Sequence, residues 1–240
     1  LQWIARRQRQ MCIRDRRVLA YHYPTDDGTR GFGVGPLNLK VNRGEILFIA
    51  GENGCGKTTM IKLLLGLYVP RDGELLLNGE VVGDSGRDDY RQLFTTIFAD
   101  YFLFEDLLKG SQDIPAEAGR YLERLEIAHK VSLQGQEFST TDLSTGQRKR
   151  LALVQAWLEK RPVLVFDEWA ADQDPEFRRI FYTELLPELR AQGKTLIVIS
   201  HDDRYFDVAD RLLRMRAGQI VEIEDHRTAT PPGPSGVALH

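Results

Sequence analysis

The chain has 240 residues, 42% of them hydrophobic, enough for a substantial core in one large domain or two small ones. A net charge of −3 and an isoelectric point near 6.0 give no global attraction for nucleic acid. No apolar run approaches the roughly 20 residues that cross a bilayer, and the two cysteines, Cys12 and Cys55, fall at no metal-binding spacing, which makes a reducing compartment the default.

Charge is uneven at the start. Residues 1–16 hold five arginines and one aspartate, with no apolar centre of the kind a secretion signal carries. Residues 6–15, RRQRQMCIRD, match codon for codon one reading frame of a widely used transposase sequencing adapter, and Arg16 is compatible with its next codon. Residues 1–16 are therefore expected to be translated adapter, joined to a gene fragment that begins near Arg17. A targeting arm or a basic nucleic-acid patch explains the charge but not the residue identities.

Val18 to Tyr23 alternates weakly and predicts a strand, which PTDDGTRGFGVGP then breaks with proline, aspartate and glycine. LNLKV is a second short strand. EILFIA (45–50) is a buried strand running into a glycine-rich loop, and KTTMIKLLLGL after it is helical, with Gly66 as its stop. GELLLNGEVV (73–82) predicts a hairpin around Asn78-Gly79. From 85 to 142 the pattern turns helical, PAEAGRYLERLEI (115–127) being amphipathic, and Ser144 opens a helix over 144–160. VLVFDE (163–168) is a buried strand with acids at its end. Residues 175–193 form a helix kinked by Pro187, and KTLIVISHD (194–202) is another buried strand. Residues 211–223 form a terminal hairpin around Ala217-Gly218, and ATPPGPSG lies in a disordered tail, 227–240. Buried strands alternating with helices predict an α/β fold, a mostly parallel core sheet with an antiparallel N-terminal β part and a helical subdomain, 85–159, inserted into a domain spanning 17–226.

GENGCGKT (51–58) fits G-x-x-x-x-G-K-[ST] in its required setting, after a strand and opening a helix. Glycines let the backbone wrap phosphates closely, and successive N–H groups at a helix start present partial positive charge. The expected nucleotide cradle is Gly51, Asn53, Gly54, Cys55, Gly56, Lys57, Thr58 and Thr59. Lys57 reaches the β- and γ-phosphates, and the Thr58 hydroxyl ligates Mg²⁺. Asp167 can hold Mg²⁺ through water, and Glu168 can accept a proton from an attacking water. Cys55 reads first as a spacer. If the nearby Lys57 and helix terminus lower its pKa, alkylation is expected to block ATP binding. In DLSTGQRKR (142–150), Ser144 can cap the next helix and Gly146 lets a phosphate approach it; these residues alone read better as an ordinary cap.

Leu143, Ser144, Gly146 and Gln147, as Leu-Ser-x-Gly-Gln upstream of an Asp-Glu strand end, resemble the signature of the ATP-binding-cassette (ABC) family of P-loop NTPases. The resemblance runs from about Arg17 to Glu224. It implies that AADQDP is the D-loop with Asp174 in its aspartate position, that His201 is the switch histidine, and that Tyr23 stacks on adenine. One position departs: where the family carries a Q-loop glutamine, this chain has Ala99 followed by Asp100, so metal contact there falls to Asp100 or is lost.

The run 165–220, in which DEWAADQDP replaces the common Asp-Glu-Pro-Thr-Ser-Ala-Leu-Asp, looks like the cyclic-peptide and siderophore-peptide exporters of the pyoverdine and syringomycin type. That resemblance implies an ATPase using ATP and Mg²⁺ and working as a head-to-tail dimer, the signature of one copy covering the partner's ATP. It implies a fused transmembrane domain in the full-length protein, at the cytoplasmic face of a bacterial inner membrane, and no nucleic-acid partner. The alternatives are a stand-alone ABC subunit or a soluble ABC ATPase. The double-cassette translation type and the coiled-coil repair type do not match one cassette without sustained heptads.

Overall fold

The computed structural model describes residues 10–13, 19–24, 30–99, 114–134, 137–140 and 142–228. These form, in chain order, β1 (Gln10–Ile13), β2 (Leu19–Pro24), β3 (Arg30–Leu37), β4 (Leu39–Asn42), β5 (Ile46–Gly51), α1 (Lys57–Leu64), β6 (Leu75–Leu77), β7 (Glu80–Val81), α2 (Arg87–Arg91), β8 (Phe94–Ile97), α3 (Ile114–Arg124), β9 (Leu133–Gln134), β10 (Glu137–Phe138), α4 (Thr145–Leu158), β11 (Val163–Asp167), α5 (Pro175–Ile180), α6 (Leu186–Ala191), β12 (Thr195–Ile199), β13 (Arg211–Arg216) and β14 (Gln219–Asp225). Asp100 and the segment 229–240 lie outside the described residues.

The core sheet runs β14-β13-β5-β12-β11-β8. Its first pair is antiparallel and the other four are parallel. Parallel strands covered on both faces must be apolar on both, which is why β5, β11 and β12 read as continuous hydrophobic runs. Alternation still sorts the side chains. Phe48, Phe166, Val198 and Leu212 pack with α4, α5 and α6 on one face. Leu47, Ile49, Val165 and Ile197 pack with α1, β3 and β4 on the other. Both expected turns, Asn78-Gly79 and Ala217-Gly218, take positive φ at both positions, as two-residue hairpins require.

Four differences from the sequence-based expectations have physical causes. First, the glycine-rich stretch expected to break the chain contains β3, paired with β2. Its glycines make room for neighbours: His22 lies opposite Gly33, and a Cβ there would sit 2.3 Å from the His22 ring. Second, β8 is a parallel edge strand inside the stretch expected to be helical, paired with β11 and burying Phe94 and Ile97. Third, Pro187 is absorbed by a π-helical turn, Phe181–Leu185, just before α6, where the Leu186 N–H bonds to Phe181 O. The wider turn takes up the proline's missing donor and its clash with the preceding turn. Fourth, a 3₁₀ turn spans His226–Thr228, entering the stretch expected to be disordered, and Arg227 in it pairs with Asp225 at 2.7 Å and with the buried Glu45 at 3.5 Å. At the other end, β1, inside the stretch read as adapter, pairs with both β4 and β6.

Trp169 is 1% exposed at the junction of β11 and α5. It stacks on Phe181 at 4.5 Å between centroids, and its indole N–H donates to Lys149 O at 3.0 Å. Trp169→Ala is expected to cost about 3–5 kcal/mol, the usual range for a buried tryptophan lost from a core. Urea unfolding checks this, and a loss under about 1 kcal/mol contradicts the packing described.

Candidate functional site

Three parallel strands end on one edge of the sheet and deliver the expected residues there. β5 leads through Gly51 into the loop 51–56 and α1. Gly51, Gly54 and Gly56 have φ of 154°, 75° and 104°. A Cβ on Gly51 would lie 2.5 Å from Met215 O, and one on Gly56 would lie 2.7 Å from Val34. Neither position admits a side chain, so this curl of backbone is available only to glycine. Asn53 and Gly54 are exposed on its outside. The Lys57 ammonium donates to Gly51 O at 2.8 Å and Glu52 O at 3.0 Å, so it lies inside the curl, 6% exposed.

β11 ends in Asp167, 3% exposed, whose Oδ2 accepts the Thr58 hydroxyl at 2.9 Å. Glu168 follows at φ 51°, in the left-handed region. Its N–H bonds to Ile199 O at 3.2 Å, and its Oε1 lies 3.9 Å from Lys57 Nζ and 2.9 Å from His201 Nε2. His201 follows β12, and the parallel register that pairs Asp167 with Ile199 brings it there. Glu168 and His201 also line an open cleft of about 350 Å³. Lys57, Thr58, Asp167, Glu168 and His201 are therefore one cluster. Tyr23 joins it through its hydroxyl, 3.1 Å from the Thr59 hydroxyl, and its ring packs edge-on against Tyr21 and Tyr68.

Cys55 is 7% exposed and packed among the apolar side chains beneath the loop. Burial of this kind favours the spacer reading of Cys55 over the conditional one of an alkylation-sensitive thiol. Ala99, at the departing position, is exposed just beyond β8.

Ser144 caps α4 in a reciprocal box with Gln147: the Gln147 N–H donates to Ser144 Oγ at 3.3 Å, and the Ser144 N–H to Gln147 Oε1 at 3.2 Å. Leu143 packs against the core beside it. Gly146 has a reason of its own, since a Cβ there would lie 2.6 Å from Asp172 O. The start of α4 thus rides directly on the segment 170–174. Gln173 links the two, donating to Gly146 O at 3.1 Å and accepting from Arg150 at 2.9 Å.

Sequence reasoning passed over Lys149, Arg150, Gln173 and Arg178. The Arg178 guanidinium donates to the carbonyls of Ala170, Ala171 and Gln173. A charge on the buried side of a helix leaves no periodic signal. The only available hint was three basic residues running straight into LALV.

Asp174 caps α5, accepting the Phe177 N–H at 2.9 Å, and pairs with Arg150. The Phe177 amide foremost holds this carboxyl below the usual aspartate range, against the opposing effect of burial and with Arg150 adding to the lowering. A depressed carboxyl adds stability above its unfolded pKa of about 4, and that stability is lost as pH falls through the folded value. Asp174→Ala is expected to cost about 1 kcal/mol at neutral pH, the worth of a helix cap, with the share of the exposed ion pair screened by solvent. The gap from wild type should close on acidification below about pH 4 in thermal melts; a gap independent of pH contradicts the assignment.

The family model described as ABC transporter matches residues 34–171. The chain is 48% identical over 204 residues to the ATP-binding protein SyrD of Pseudomonas syringae pv. syringae, covering 83% of this chain and 36% of that protein. It is 32% identical over 206 residues to the ATP-dependent lipid A-core flippase of Ralstonia nicotianae, covering 80% of this chain and 34% of that protein. The chain thus spans about a third of the length of these relatives. Its fold matches a bacterial Atm1-family ABC exporter with ATP bound, at TM-score 0.76 and 21% identity, over 92% of this chain and 39% of that one. It also matches cbiO1 from Clostridium perfringens, part of the ABC transporter complex cbiONQ, at TM-score 0.72 and 25% identity, over 90% of this chain and 88% of that one. The strand–loop–helix at 46–64, the acid pair ending β11 and the family match over residues 34–171 agree: the chain belongs to the ABC transporter family and carries its ATP-binding, ATP-hydrolysing domain.

Proposed function

We propose that this domain powers an exporter, using ATP bound across two copies of the chain to drive movement of a peptide, cyclic or siderophore-like, through a transmembrane domain fused to it in the full-length protein. The observation that carries the reading is the cluster of Lys57, Thr58–Asp167 and Glu168–His201 on one strand edge. The peptide cargo rests on the run 165–220 and on the 48% identity with SyrD. The place of action that follows is the cytoplasmic face of a bacterial inner membrane.

The residues divide the work by chemistry. Backbone N–H groups of the loop 51–56 and the start of α1 would hold the phosphates, and Lys57, now bonded to two loop carbonyls, would turn to the β- and γ-phosphates. Tyr23 would offer its ring to adenine. Thr58 and Asp167 are hard oxygen donors 2.9 Å apart, which suits Mg²⁺, an ion that takes few protein ligands and keeps waters and phosphate oxygens. When bound there, Mg²⁺ would neutralise charge on the phosphates. Glu168 is the only carboxylate within reach of both Lys57 and His201 among the described contacts, and we assign it as the base for the attacking water. His201, hydrogen-bonded to it, would hold the γ-phosphate. Ser144, Gly146 and Gln147 would present the N-terminus of α4 to the partner's nucleotide, and closure of the dimer would exclude bulk water.

Glu168→Gln is expected to keep ATP affinity and lose turnover by about a hundredfold or more, while Lys57→Ala loses nucleotide affinity. Steady-state hydrolysis and equilibrium nucleotide titration check both. Near-normal hydrolysis by Glu168→Gln removes the base assignment, and unchanged nucleotide affinity in Lys57→Ala removes the phosphate assignment.

A further inference from the structure

Lys149 is 1% exposed, and no role assigned above uses it. Its side chain runs from α4 under the segment that follows β11. The ammonium pairs with Asp172 Oδ2 at 2.7 Å and donates to the main-chain carbonyl of Glu168 at 3.1 Å. Its own carbonyl accepts the Trp169 indole N–H at 3.0 Å. Lys149 therefore holds the segment 168–172 at three points, from a helix that belongs to a different part of the fold.

Glu168 needs such support. It is not glycine, yet it sits at φ 51°. A left-handed conformation at a residue with a side chain persists only where the surroundings over-determine it. The Glu168 N–H is fixed by Ile199 O, and Lys149 fixes its carbonyl, leaving the carboxylate to point toward Lys57 and His201. Asp172 supplies the buried ammonium with a carboxylate partner, as a buried cation requires.

We infer that Lys149 is a positioning residue that holds Glu168 in its working conformation and ties the Ser144–Gln147 helix start to it within one chain. This rests on the proposed dimer. There, the start of α4 serves the partner's ATP while Glu168 serves the chain's own, so Lys149 connects the two composite sites through five residues of helix. Neighbouring contacts run the same way: Gly146 packs on Asp172 O, and Gln173 bridges Gly146 and Arg150. A shift of the signature helix on engaging the partner's nucleotide would reach Glu168 through a salt-bridged side chain rather than through a loop.

The test compares ATP hydrolysis by the full chain with that of Lys149→Met, which keeps the buried stem and removes the charge, and of Asp172→Asn, which keeps the shape of a side chain 46% exposed and removes its charge. Lys149→Met is expected to lower kcat about ten- to a hundredfold, with KM for ATP within about twofold. Asp172→Asn should lower kcat by less, and the double variant should be no worse than Lys149→Met, because both act through one contact. A kcat for Lys149→Met within about twofold of wild type, additive losses, or a rise in KM matching the fall in kcat overturns the inference. If Lys149→Met does not fold, Asp172→Asn decides: lowered kcat at unchanged KM supports it, and unchanged kcat overturns it. Absence of turnover in the wild-type chain, or its persistence in Glu168→Gln, instead counts against the reading on which the inference rests.

Discussion

The parallel register among β5, β12 and β11 is the constraint on which the site depends. It pairs Ile49 with Ile199 and Ile199 with Asp167, so three chain segments leave the sheet side by side at its carboxyl edge. Gly51, Asp167 and Ile199 are distant in sequence, yet the loop carrying Lys57, the acids and His201 all start from adjacent strand ends. Open parallel sheets gather ligands at this edge because every strand end there is followed by a loop free to specialise. The register is held by core packing on both faces: Phe48, Phe166 and Val198 on one side, Leu47, Val165 and Ile197 on the other. A slip of one residue in β12 would exchange these faces and remove His201 from Glu168.

A second constraint fixes how the site reports on its surroundings. The start of α4 and the segment 168–174 are joined by polar contacts whose cations, Lys149 and Arg150, are buried. Lys149 meets Asp172, Arg150 meets Gln173 and Asp174, and Trp169 lies beneath them with its indole N–H on α4. Arg150 also stacks on Phe177, its guanidinium carbon 3.5 Å from the ring centroid. Such contacts have well-separated arrangements rather than a continuum, because a buried cation without a partner is costly. The helix start and the acid-bearing segment are therefore tied to one another, a useful property in the proposed dimer.

The sequence exposed the strand–loop–helix around Lys57 and the acids of β11 directly, because a buried strand running into closely spaced glycines has few other uses. Hairpins at Asn78-Gly79 and Ala217-Gly218 were equally legible, since each puts a glycine at its second turn position, where φ is positive. What remained hidden depended on neighbours. β3 is masked by the proline, aspartate and glycines of PTDDGTRGFGVGP, which signal a break, whereas Gly33 and Gly35 admit His22 and Ala20 across the ladder. β8 carries only four residues and two threonines, so its strand character comes from its partner β11. Cys55 sat in a motif position, but the curl of the loop turns its thiol inward. Lys149 was invisible because burial of a charge depends wholly on a partner, Asp172, that periodicity does not reveal.

The central claim is that one chain carries half of each ATP site and that a second copy completes it. Light scattering of the Glu168→Gln chain with Mg²⁺ and saturating ATP tests this directly. The account predicts the mass of a dimer with ATP and of a monomer without nucleotide. A chain that binds ATP to saturation and remains monomeric would contradict it.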